Sequence, residues 1–247
     1  MLTACVNGAR RPAEHAALPV GPARLAADAA AVAAAGAADV HLHVKDATGA
    51  DTLAAGPLAE VLSAVRIRAP GLPVGVTTGA WAAPDPADRL AALRSWTVLP
   101  DSASVNWHEP GAEEVAELLL RRGVGVEAGL WTPGAVRDWR ASRLRDRCTR
   151  VLLELPDGPG DAASAELARE MLAALGAAGV PVQLHGEGTS TWPALREAVR
   201  LGLDARIGLE DTLLLPDGSP AAGNAALVAA ARAVGARAAQ PSGSPSP

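Results

Sequence analysis

The chain has no phenylalanine and no tyrosine, and its 6 tryptophans make up an aromatic share of only 2% of 247 residues. With the heavy use of Ala, Arg and Gly, this is a compositional bias that carries no functional message. Cysteine is scarce: Cys5 and Cys148 stand far apart with no CxxC spacing, which excludes a disulfide framework and predicts a reduced, cytoplasmic protein. No basic region leads into a long apolar run at the N-terminus. The most apolar window, 25–38, is broken by Asp28 and Gly36 and is shorter than the ~20 residues of a membrane span, so no membrane insertion is expected. Sustained basic runs are missing too. Arg10-Arg11 and Arg121-Arg122 are the longest, and 22 Lys+Arg against 27 Asp+Glu leave a net charge of -5, which excludes a nucleic-acid surface.

A hydrophobic fraction of 49% with 20% charged residues is enough to bury one large core at this length. Short β-prone runs alternate with longer helical patterns. Strands are predicted over 2–6, 40–44, 73–77, 102–106, 124–128, 150–155, 180–184 and 205–209. Helices are predicted over 22–35, 57–68, 85–96, 111–122, 133–141, 162–178, 191–201 and 220–234. Gly36, Gly71, Gly123, Gly179 and Gly202 each fall between a helical pattern and the next strand, where a left-handed residue ends the helix. Eight strand–helix units in one chain predict the α/β class and a single-domain (β/α)8 TIM barrel over 1–235, followed by a disordered tail over 236–247. No GxGxxG follows any strand, which argues against a dinucleotide-binding open sheet.

Chemistry in such a barrel is built at the C-terminal strand ends. Polar residues crowd there: Asn7, then His41 and His43, then Thr77 and Thr78. Ser104, Asn106, His108 and Glu109 mark the fourth strand, Glu127 the fifth and Glu154 the sixth. His185 and Glu187 follow, then Glu210 and Asp211. The strand beginnings read as mostly small or apolar.

His41 and His43 share one strand face, so both imidazoles point to the rim, where Zn2+ would need a third ligand and Glu210 lies across the mouth to supply it. Two hydrogen-bonded core histidines are the alternative. Arg206 lies an even number of residues from Glu210 and needs a counter-charge, either Asp211 or a substrate carboxylate; a purely structural ion pair is as good a reading. Glu127, inside an apolar strand, must be raised in pKa, paired, or near a cation. The Thr77-Thr78-Gly79 turn offers hydroxyls and N–H groups to a carboxylate, though it also reads as ordinary loop chemistry. With Asn7, Ser104 and Asn106, these threonines form the candidate substrate-binding set. Trp81, Trp107 and Trp131 follow strands three to five and either wall a pocket or pack as core. Glu14 and His15 read as solvated loop residues.

With these residues in place, the chain resembles the β-keto acid cleavage enzyme family from Leu2 to about Val234. The resemblance is carried by TACVNGA at 3–9, AGAADVHLHVKD at 35–46, VGVEAG at 124–129, ARIGLED at 205–211 and NAALV at 224–228. It implies a TIM barrel holding Zn2+ through His41, His43 and Glu210, with Arg206 and Asp211 as a polar dyad and Glu127 lining the site. The implied reaction exchanges a β-keto acid with acetyl-CoA, giving acetoacetate and a new acyl-CoA. In it Asp211, its basicity set by Arg206, takes the α-proton. A homo-oligomer, a tetramer in the family, is also implied. The acidic segment His185-Gly186-Glu187-Gly188 departs from the family pattern and opposes CoA phosphates, while Glu109 offers an alternative ligand or base. A CoA-independent aldolase or hydrolase and a non-catalytic metal- or metabolite-binding barrel are the competing readings.

Overall fold

The computed structural model describes residues 1–158 and 161–238. Eight parallel strands close in sequence order: β1 (Leu2–Cys5), β2 (Asp39–Leu42), β3 (Val74–Thr77), β4 (Ser102–Asn106), β5 (Gly125–Leu130), β6 (Arg150–Leu155), β7 (Val182–Gly186) and β8 (Asp204–Ile207), with β8 pairing back to β1. The helices that alternate with them are α1 (Pro22–Ala35), α2 (Ala55–Arg68), α3 (Pro86–Ser95), α4 (Ala112–Arg121), α5 (Pro133–Ala141), α6 (Asp161–Leu175), α7 (Thr191–Leu201) and α8 (Asn224–Val234). This is the single-domain (β/α)8 barrel that the alternation predicts. All five joint glycines have positive φ, from 72° at Gly202 to 104° at Gly36. No helix among the described residues is long and apolar enough to cross a membrane. Of the expected tail, Ala236 is buried and Arg237 donates to the Gly202 carbonyl, whereas 239–247 lie outside the described residues.

The apolar core is a ring between sheet and helices. Leu25, Leu58, Leu93, Leu119, Leu195 and Leu227, one from each of six helices, are fully buried against the outward residues of the strands. The barrel interior is the opposite. Branched aliphatics usually fill it, but here Arg150 on β6 reaches across to Asp39 on β2 (2.5 Å), Thr3 on β1 (3.3 Å) and Glu127 on β5 (3.3 Å). Gln183 on β7 donates to Thr3 (2.8 Å), and Ser102 on β4 donates to Glu127 (3.1 Å). The expectation of small or apolar strand beginnings is therefore overturned at Thr3, Asp39 and Arg150. Buried charges persist there because each has an opposite partner from another strand.

The helical shell holds one carboxyl under stress. Asp28 on α1 accepts from Asn224 on α8 (2.7 Å), and burial lifts its pKa from 3.8 to about 6. The fold keeps a proton that the unfolded chain releases, so its stability falls as pH rises from about 4 to about 6 and stays lowered above. Asp28→Asn keeps the acceptor and removes this effect. It is expected to raise the melting temperature at pH 7.5, by a stabilisation on the order of 2 kcal/mol, with no gain at pH 4; thermal denaturation at both pH values checks this.

Candidate active site

The C-terminal mouth of the barrel opens into a cavity of about 430 Å³. His41, His43, Glu210 and Arg206 line it, with Thr77, Ser104 and Asn106 on the β3–β4 wall. His41 lies in β2, one residue before its end, and His43 follows the strand, their rings 5.6 Å apart and nearly perpendicular. Glu210 sits past β8, where Gly8 leaves it room: a Cβ at Gly8, whose φ is +54°, would stand 2.4 Å from the Glu210 Cγ. Any residue but glycine would thus clash and be strained.

One ligand atom each from His41, His43 and Glu210 lie within 4.8 Å of one another. His43 Nδ1 bonds Asp51 Oδ2 (2.8 Å), which turns Nε2 toward Glu210 Oε1 (3.6 Å). Asp51 also binds Lys45 Nζ (2.6 Å) and accepts from Trp81 Nε1 (2.7 Å), and the Trp81 ring stacks on His43 at 5.8 Å. A carboxylate behind a histidine fixes its tautomer and ring plane for ligation. Buried His41 Nδ1 and Glu210 Oε2 have no hydrogen-bond partner. Two imidazoles, a carboxylate and unpartnered buried atoms fit a zinc ion, whose catalytic sites take three protein ligands and keep one position open.

The two imidazoles are held in opposite protonation states, so His43 must give up its proton to ligate a metal. Burial lowers His41 to about 3, so this ring is a neutral donor. Burial works against charge on His43, but Glu210 and Asp51 outweigh it and lift its pKa to about 9. Burial likewise opposes charge on Glu210, yet Arg206 and His43 hold it well below the usual carboxylate range. Arg206 Nη2 bonds Glu210 Oε1 at 2.7 Å and stands 3.8 Å from Asp211 Oδ1.

Several expected residues do not reach the cavity. Asn7 is fully buried, its amide bonded to the backbone of Pro19 and His43, so it braces the His43 strand. Thr78 donates to the Ser104 carbonyl (2.7 Å). Glu127 belongs to the charged floor, where burial raises its pKa and Arg150 opposes the rise. Asp211 has no exposed surface and lies behind Arg206 and His185. Glu109 is taken up by Arg89 (2.9 Å), the Ala80 N–H (3.0 Å) and Asn106 (2.9 Å), which leaves no free carboxylate for a ligand or base.

Residues outside the expected metal, catalytic and substrate-binding sets also line the cavity. Arg10 lines the mouth beside Glu14, to which it is bonded at 3.1 Å. His15 is half-buried against the Ala221 carbonyl (3.0 Å) rather than solvated. Trp81 and Trp131 wall the cavity, while Trp107 packs into the core. Glu154, Asp157 and Glu187 form the β6–β7 side. Burial lifts Glu187 to about 7, so at neutral pH it carries only part of the charge that its sequence position suggests. Asp51 gave no signal beyond lying in a polar loop, since its partners are set by how that loop folds back over His43.

A family model described as beta-keto acid cleavage enzyme matches residues 1–246. No curated protein matches the sequence. Among solved structures, the binary complex of ObcA with oxaloacetate is similar at a TM-score of 0.72 and 19% identity, covering 89% of this chain and 64% of that one. The ternary complex of ObcA with a C4-CoA adduct and oxalate has a TM-score of 0.69 and 20% identity, covering 87% and 63%. Type I 3-dehydroquinate dehydratase from Clostridium difficile has a TM-score of 0.60 and 12% identity, covering 84% and 83%. These likenesses show the barrel fold. The chain spans less than two thirds of the length of ObcA.

Proposed function

Because the chain belongs to the beta-keto acid cleavage enzyme family, we propose that it is a zinc-dependent enzyme that exchanges a β-keto acid with acetyl-CoA, yielding acetoacetate and a new acyl-CoA. The convergence of His41, His43 and Glu210 beside Arg206 in one cavity carries this reading. His41, His43 and Glu210 would hold the zinc, which would supply a Lewis acid for negative charge on a keto oxygen. Arg206, kept charged by the carboxylates around it, offers its guanidinium to the substrate carboxylate. The Ser104 hydroxyl, for which no protein partner is seen among the described residues, and Thr77 orient the substrate from the opposite wall. Asp211 acts from behind, holding Arg206 and His185 in place. Trp81 and Trp131 limit water.

In the reaction, C2 of the β-keto acid loses a proton and bonds the acetyl carbon as the acetyl–sulfur bond breaks and releases the CoA thiolate. The thiolate then bonds C3, the C2–C3 bond breaks, and C2 regains a proton, leaving acetoacetate and the new acyl-CoA. ObcA binds oxaloacetate and a CoA adduct, which supports keto-acid and thioester partners here. The acids Glu14, Asp157 and Glu187 around the mouth favour a second reading, a hydrolytic or aldol cleavage without CoA. Acetoacetate formation from a panel of β-keto acids, with and without acetyl-CoA, separates the two. Purified protein is expected to hold close to one zinc and to need the thioester. Equal product without it would replace the first reading by the second.

A further inference from the structure

The resemblance gives removal of the α-proton to Asp211, but that carboxylate has no exposed surface and does not line the cavity. Between it and Glu154 stands His185, whose Nδ1 is 3.4 Å from Asp211 Oδ1 and whose Nε2 is 3.0 Å from Glu154 Oε2. Glu154 does line the cavity. His185 takes one of its oxygens, and the other, Oε1, has no protein partner among the described residues. Space for Oε1 comes from β5: a Cβ at Gly129 would stand 2.7 Å from it and 2.7 Å from Asn106 Oδ1. The carboxylate is thus held at one end by a buried imidazole and presented at the other to the space that Arg206 and the histidine–carboxylate cluster share.

We propose that Glu154 is the base that removes the α-proton of the bound keto acid, with His185 as the residue that positions it. The C2–H bond breaks, its electron pair moves into the keto group as the enolate forms, and the proton passes to Glu154 Oε1. The inference rests on the keto-acid reading of the site. It departs from the resemblance in which carboxylate takes the proton.

The test follows exchange of the C2 protons of acetoacetate in D2O by NMR, with zinc-loaded protein and no thioester. Wild-type protein is expected to accelerate exchange above the spontaneous rate. Glu154→Gln is expected to lose about 100-fold or more of that acceleration, with zinc content, melting temperature and acetoacetate Kd unchanged. Glu154→Ala is expected to regain exchange when formate is added, which a merely structural role would not produce. Asp211→Asn is expected to lose less than Glu154→Gln. Wild-type exchange rates in Glu154→Gln, absence of formate rescue, or no acceleration by the wild type each overturn the proposal. Failure of the CoA-exchange reading looks different: exchange persists and depends on Glu154, yet no acyl-CoA forms from any β-keto acid.

Discussion

His43→Ala is expected to reduce bound zinc from close to one equivalent to near zero and to abolish turnover. The ring is one of three donors within 4.8 Å of one another, and no other donor from the described residues joins that cluster. Asp51→Asn provides the graded comparison. It leaves all three donors in place and removes the carboxylate that holds His43 Nδ1, so zinc affinity should fall by roughly 10–100-fold. Lys45, which bonds both Asp51 and the Gly8 carbonyl (2.6 Å), then loses its counter-charge. Elemental analysis and colorimetric zinc competition check the order. If Asp51→Asn costs more zinc than His43→Ala, the ligand assignment is wrong.

Arg150→Ala is expected to cost about 3–5 kcal/mol, because it leaves Asp39 and Glu127 buried without their shared cation. In a domain of this size the melting temperature should fall on the order of 10 °C. The loss should shrink as pH is lowered. Burial raises the pKa of Glu127 even beside Arg150, so without the guanidinium the folded chain takes up a proton more readily than the unfolded one, and stability recovers toward acid pH. Combining Arg150→Met with Asp39→Asn and Glu127→Gln removes the charges together and should recover most of the loss. Melts from pH 5 to 8 check both points. A deficit that does not change with pH would show that the cost comes from lost packing and not from stranded charge.

The barrel was legible in the sequence because its signals are local. Glycines at helix–strand joints and apolar runs of strand length are read within a few residues. The histidine pair was legible for the same reason, since residues two apart on a strand share a face. Boundaries moved where distant contacts intervened. The eighth strand ends at Ile207, not Leu209, because Gly208 packs against Cys5 of β1, where a Cβ would meet the Cys5 carbonyl oxygen at 1.8 Å. The last helix starts at Asn224 instead of Pro220, with Pro220 paired to Leu214 in a short bridge before it. The charged floor was invisible because Arg150 and Asp39 are 111 positions apart and Gln183 and Thr3 180 apart. Alternation along a strand says which residues face inward, but not which of them meet across the interior. That is also why Asp211 and Glu154 could be placed at strand ends while their depths could not.

Because Arg150 on β6 bridges partners on β1, β2 and β5, the molecule cannot be divided into autonomous half-barrels. A fragment carrying only the first four strands would retain Asp39 and Thr3 on its inner face without their guanidinium. The complementary fragment would bury an arginine with only Glu127 as counter-charge. The same floor that supports the mouth thereby ties the two ends of the chain to its middle, and closure of the ring becomes a condition for charge neutrality inside it.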